Sequence, residues 1–166
     1  MTISLTARLD EQVRFVQATT MSANWTGATW VNMKGWNKLT IIADALGTGG
    51  AVTGGVVTLN QAKTVAAGSA KALNFSRMVY LADLTVAQTE VAQAVTEIAV
   101  ASNTWSVANA DGKRQRYVME VDADDLDVAL GFMCVRFVST ALVNATGVVN
   151  YILWGARYSG GSVMID

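Results

Sequence analysis

Five carboxylates fall within eight residues at Glu120-Val-Asp-Ala-Asp-Asp-Leu-Asp127, the stretch of this chain richest in groups that could do chemistry. Oxygen-rich loops of this kind attract calcium. An EF-hand loop counted from Asp122, however, wants a Gly at its sixth position and a Glu at its twelfth, where this chain has Asp127 and Met133. Two acids facing each other across a groove would make a glycosidase pair, and spacing along one segment does not establish that arrangement. The structural reading is simpler. A strand ends at Val121, an Asp caps one helical turn, and Leu126 and Val128 pin that turn to the core.

A second charged stretch, Lys113-Arg-Gln-Arg116, follows Asp111-Gly112. Three cations beside a turn read as a solvated edge, or as a partner for the acidic segment of a neighbouring subunit, more readily than as a nucleic-acid contact. Trp25, Trp30, Trp36, Trp105 and Trp154 invite a sugar-stacking reading, but large aromatics equally anchor cores and protein interfaces. Cys134, alone of its kind, sits in Phe132-Met-Cys-Val-Arg-Phe137 and reads as a small buried hydrophobe. It has no partner for an internal disulfide. The absence of His removes Ser-His-Asp and Cys-His catalysis and every His-containing zinc site. No catalytic, cofactor-binding or metal-binding residue is therefore assigned, and the expectation is that the chain is not an enzyme.

The elements that would carry these residues are short. Segments rich in Val, Ile, Thr and aromatics, bounded by Gly, Asn, Ser or Asp, predict nine strands, at 12–18, 29–33, 38–45, 56–63, 71–80, 96–101, 116–122, 133–140 and 148–158. Their spacing predicts an all-β fold, an antiparallel β-sandwich of jelly-roll-like type with at most one or two short helices. In 56–61, Val57 and Leu59 should face inward while Thr58 and Asn60 face outward. The runs 133–138 and 151–154 are apolar on both faces, which places them between two covering layers, inside the fold or at a subunit contact. Residues 84–95 suit a short helix as well as a strand. The five glycines of 45–55 suggest a hairpin tip or an arm. That segment lacks the Gly-Lys-Ser/Thr ending of a phosphate loop.

Length and composition set the wider frame. The 166 residues predict a single β-sandwich domain spanning 1–166, with residues 1–9 and 159–166 as arms. Hydrophobic residues reach 52% and charged residues only 15%, against about 25% charged in ordinary soluble domains. Intrinsic disorder is excluded by that balance. The net charge of −1 offers no field to draw a polyanion, so nucleic acid is not expected as a partner. No run approaches 18 uninterrupted apolar residues, and Met1 to Asp10 lacks the basic start and apolar run of a secretory signal. The expected product is soluble and cytoplasmic, with no membrane partner. The sequons at Asn24 and Asn144 are then chance matches. The apolar excess is most simply assigned to contacts with other protein chains.

Several segments together resemble small virion structural proteins of tailed bacteriophages and prophages, of the head-decoration or cement type. The resemblance spans residues 30–158. It rests on Trp30-Val-Asn-Met-Lys-Gly-Trp36, Val57-Thr-Leu-Asn-Gln-Ala62 with Gly68-Ser-Ala-Lys-Ala-Leu73, Glu120-Val-Asp-Ala-Asp-Asp-Leu-Asp-Val128, Gly131-Phe-Met-Cys-Val-Arg136 and Ile152-Leu-Trp-Gly-Ala-Arg-Tyr158. It implies a non-enzymatic protein that is made in the host cytoplasm and ends on the capsid exterior. Such a protein binds the major capsid protein, bridges neighbouring capsid subunits and is commonly a homotrimer. The alternatives are a tail or spike component and a carbohydrate-binding β-sandwich module. The sequence candidates for partner contact are 1–9, 47–55 and 159–166, the first of which could add a strand to a neighbour's open sheet edge.

Overall fold

The computed structural model describes residues 13–22, 29–47, 55–82, 95–106, 114–140 and 145–156. Eleven strands run in the order β1 (Val13–Ser22), β2 (Val31–Asn32), β3 (Trp36–Gly47), β4 (Val56–Ala62), β5 (Lys71–Ala72), β6 (Phe75–Ala82), β7 (Val95–Ser102), β8 (Thr104–Ser106), β9 (Arg114–Asp122), β10 (Cys134–Thr140) and β11 (Ala145–Ala156). Two single 3-10 turns, Ala123–Asp125 and Val128–Leu130, join β9 to β10 and are the only helical elements among the described residues.

The strands form an antiparallel β-sandwich. One sheet has six strands in the order β1-β11-β3-β9-β6-β7, and the other is built on β2-β10-β4-β5 with β8 also paired to β4. Only β4–β5 and β6–β7 are sequence neighbours that pair, and every other connection between described strands crosses from one sheet to the other. The free edge of β4 is completed end to end by two short pieces: β8 against Val56–Thr58 and β5 against Asn60–Gln61. A hydrogen bond from Leu59 N–H to Asn103 O joins β4 to the β7–β8 corner.

The core lies between the sheets and follows the period-2 alternation of the strands. On β3, Leu39, Ile41, Ala43 and Ala45 are buried while Lys38, Thr40 and Ile42 face outward. On β9 the buried set is Gln115, Tyr117, Met119 and Val121, and on β11 it is Val149, Tyr151 and Leu153. Small residues make room for large ones: Ala43 is paired directly with Tyr117 and with Val149. From the other sheet come Val57 and Leu59, both fully buried with Thr58 and Asn60 outward, and Val135 and Phe137. Tyr117 packs between Trp105, in an edge-on contact at 6.3 Å, and Phe137 at 6.4 Å.

Several boundaries differ from the sequence reading. The 29–33 strand contracts to Val31–Asn32, and 71–80 divides into β5 and β6 around Leu73-Asn74. The strand β8 has no counterpart among the nine expected; three residues are too few to show a period, and β8 exists because β4 offers an open edge. Residues 84–94, most of 45–55, the arms 1–9 and 159–166, Trp25 and both sequon asparagines lie outside the described residues.

Candidate interaction surface

The acidic segment sits at one end of the sandwich, where the β9–β10 connection meets the β4–β5 loop. Strand β9 ends on Asp122, whose backbone N–H donates to Asp125 Oδ2 at 2.9 Å, and the turn Ala123–Asp125 follows directly. Leu126 is buried, as expected. Val128 does not join it. A second 3-10 turn begins at Val128, and with about three residues per turn it swings that side chain outward, leaving it 53% exposed. The expectation that Val128 pins the turn to the core is thus corrected. Gly131 closes this turn at φ +84°, the left-handed region that glycine enters without strain.

The carboxylates are spent on local partners. Glu120 and Asp122 flank Lys38, at 3.3 and 3.8 Å, and the hydrogen bond that Lys38 donates to Glu120 raises the ammonium above its ordinary pKa. Asp127 pairs with Lys71 and accepts a hydrogen bond from Gln61 Nε2 at 3.2 Å. In return, the Asp127 backbone N–H donates to Gln61 Oε1 at 3.1 Å. Gln61 is buried, and its Nε2 also reaches Ala72 O at 3.3 Å, so one amide stitches β4, β5 and the acidic loop together. No group of three or more His, Cys, Asp or Glu among the described residues could hold a metal ion.

Beside this knot, the Phe132 ring is buried under two ammonium groups, Lys71 Nζ at 4.3 Å and Lys63 Nζ at 5.5 Å from its centroid. The β4–β5 loop and the β9–β10 connection, tied together by a hydrogen bond from Met133 N–H to Ala62 O, thus form one braced tip. Three large apolar side chains are exposed on it, Val65 at 59%, Leu130 at 62% and Val128, among exposed polar ones that include Lys63, Thr64, Asp124 and Asp125. Gln61, Phe132, Val65 and Leu130 are the residues the sequence reading missed. The available signal was an apolar side chain inside a Gly- and Asp-bounded loop, where polar residues are the norm.

The other sequence candidates go elsewhere. Of the basic run, Arg116 lies on β9, in the interior of the six-stranded sheet, with its side chain partly exposed, while Lys113 and the Arg114 side chain lie outside the described residues. Gln115 is buried, accepts a hydrogen bond from the Tyr117 hydroxyl, and therefore belongs to the core. Arg116 makes a bidentate pair with Asp44 on β3, Nε to Oδ1 at 2.7 Å and Nη2 to Oδ2 at 3.0 Å, which holds the guanidinium pKa above its ordinary value. Its partner is in the same chain, so nothing in this pair awaits the acidic segment of a neighbouring subunit. Cys134 is buried with Ala62 against Trp30, and burial raises its thiol pKa. The Arg136 guanidinium lies 4.6 Å over the Trp30 ring. Trp36 and Trp105 pack against the main core, which leaves Trp154 as the exposed indole among the described residues. The coplanar exposed pair that a sugar platform requires is not formed by these four.

No protein-family model matches the chain, and no curated protein matches it. Among solved structures it is similar to the crystal structure of the SPBc2 prophage-derived protein YomS, at 12% sequence identity and a TM-score of 0.42, with 92% of this chain and 98% of that chain covered. A likeness this remote is no basis for a function.

Proposed function

We propose that this chain is a non-enzymatic structural protein of a phage virion, which docks on the outside of an assembled capsid, bridges neighbouring subunits of the major capsid protein and acts as a homo-oligomer, with the trimer favoured. The observation that carries the reading is the braced tip: three exposed apolar side chains, Val65, Val128 and Leu130, on two loops joined by the Gln61–Asp127 hydrogen bonds and the Asp127–Lys71 ion pair. Preorganised apolar projections recognise a protein surface at small entropic cost. The sequence resemblance to head-decoration proteins supplies the nature of that surface, and the low charge content fits a protein that works by contact.

The mechanism is mass action. A ligand that binds only the assembled lattice stabilises it by its binding free energy, about 2.7 kcal/mol per site when its free concentration is 100 times Kd. Several tips on one oligomer raise that through effective concentration. Gold-labelled antibody against the chain, applied to purified particles from a host carrying its gene, tests the reading. Label over the shell supports it, label on the tail moves the chain to a tail or spike component, and particles without label overturn it.

A further inference from the structure

Lys71 and Arg136 are the two charged residues on the strands of the smaller sheet, and Lys71 is paired with Asp127 at the tip. Arg136 has no such partner. Among the described residues no carboxylate pairs with it, and its Nε is buried without an acceptor. Register sets the half-buried side chain on the outward side of β10, opposite Asn60 of β4, with Cys134 opposite Ala62 one step nearer the tip. The Trp30 ring, itself buried against Cys134 and Ala62, lies 4.6 Å from the guanidinium. Packing alone does not account for an arginine here, because an apolar side chain would cover Trp30 without leaving a shielded donor unpaired. Stacking engages the face of the guanidinium and holds its orientation, while its N–H donors point outward in the plane. With Nε shut in, the Nη groups are the part left to meet a partner.

We infer that Arg136, held on Trp30, is the charged anchor of the capsid contact and receives a carboxylate from an Asp or Glu side chain of the partner protein. The inference rests on the docking part of the reading above and names the partner chemistry for it. Charge complementarity selects the group: a planar guanidinium binds a carboxylate through two parallel hydrogen bonds, and one cation fits one acid. A nucleic-acid backbone would call for several cations along a track, and the other charge on this sheet is already paired. Continuity with the tip supports it too. Met133 packs against the Trp30 cluster and donates its N–H to Ala62 O, the bond that ties the tip together. Arg136 lies four residues beyond Phe132, about 13 Å along an extended strand. A contact of ~800 Å² per partner is a patch roughly 30 Å across, so one partner surface spans the apolar projections and the guanidinium. Arginine and tryptophan beside apolar contacts that exclude water have the composition of a binding hot spot.

Co-sedimentation of the full chain with shells from a phage that lacks its gene tests the anchor, with Arg136→Met and Arg136→Lys as variants. Methionine keeps an unbranched side chain on Trp30 and removes the charge, and circular dichroism checks that each variant keeps its sheet content. The unaltered chain should sediment with the shells. Arg136→Met should bind on the order of 30-fold more weakly at low salt, and its binding should vary less as salt is added. Carbodiimide, which joins an amine to a carboxylate, should link the Arg136→Lys variant through position 136 to an Asp or Glu of the major capsid protein, located by mass spectrometry. Equal binding by Arg136→Met and the unaltered chain overturns the inference and leaves the capsid reading standing, as does an Arg136→Lys variant that binds the shell with position 136 unlinked. Binding of the unaltered chain to a DNA duplex that Arg136→Met loses assigns the guanidinium to phosphate and overturns the inference as well. An unaltered chain that stays in the supernatant overturns the capsid docking and the anchor together.

Discussion

The Tyr151 hydroxyl on β11 accepts a hydrogen bond from the Phe137 backbone N–H on β10 at 3.3 Å, joining the two sheets through the middle of the core. Both residues are fully buried. Burial pushes the phenol pKa up to about 12, although the Phe137 N–H and the Arg136 charge favour the phenolate. Tyr151→Phe leaves that N–H without its phenol acceptor and should cost about 1–2 kcal/mol, seen as a fall of roughly 3–8 °C in Tm for a domain of this size. The same group makes stability depend on pH. In the unfolded chain tyrosine ionises near 10, so from about pH 10 to about pH 12 the unfolded state gives up a proton that the native state retains. Stability contributed by the neutral phenol is complete below about 10 and is lost as pH rises through that window. Denaturant titrations at several alkaline pH values should show a steeper loss for the unaltered chain than for Tyr151→Phe. Parallel curves would refute the raised pKa.

Asp44 and Arg116 pair across β3 and β9 with two hydrogen bonds, the carboxylate largely buried and the guanidinium partly exposed. Removing either partner should destabilise the chain by about 1–2 kcal/mol, since charge-assisted bonds are strong but this one is partly screened by solvent. A double-mutant cycle with Asp44→Ala and Arg116→Ala in urea should give a coupling that shrinks as salt is added. Arg116→Lys should not restore it, because an ammonium cannot make the two-pronged contact.

Cys134 should behave as an inert hydrophobe. It is 1% exposed and its thiol pKa is raised by burial, so both access and thiolate content are low. A thiol-reactive chromophore at mildly alkaline pH should label the unfolded chain at once and the native chain only at the rate of its opening. Rapid labelling of the folded protein would contradict this placement.

What sequence alone determined was whatever depends on neighbours along the chain. The alternation of Val57 and Leu59 with Thr58 and Asn60, the cap at Asp122 and the burial of Leu126 and Cys134 were all legible, because period, capping and hydrophobicity act within a few residues. Only the tertiary structure decided which polar groups meet. Arg116 finds Asp44 across 72 residues, Gln61 finds Asp127 across 66, and Lys38 finds Glu120 across 82. Such pairs depend on strand order, and here nearly every connection crosses between sheets, so local patterning carries no record of which strand lies beside which. The exposure of Val128 has a smaller version of the same cause: one added 3-10 turn rotated a side chain that simple alternation would have buried.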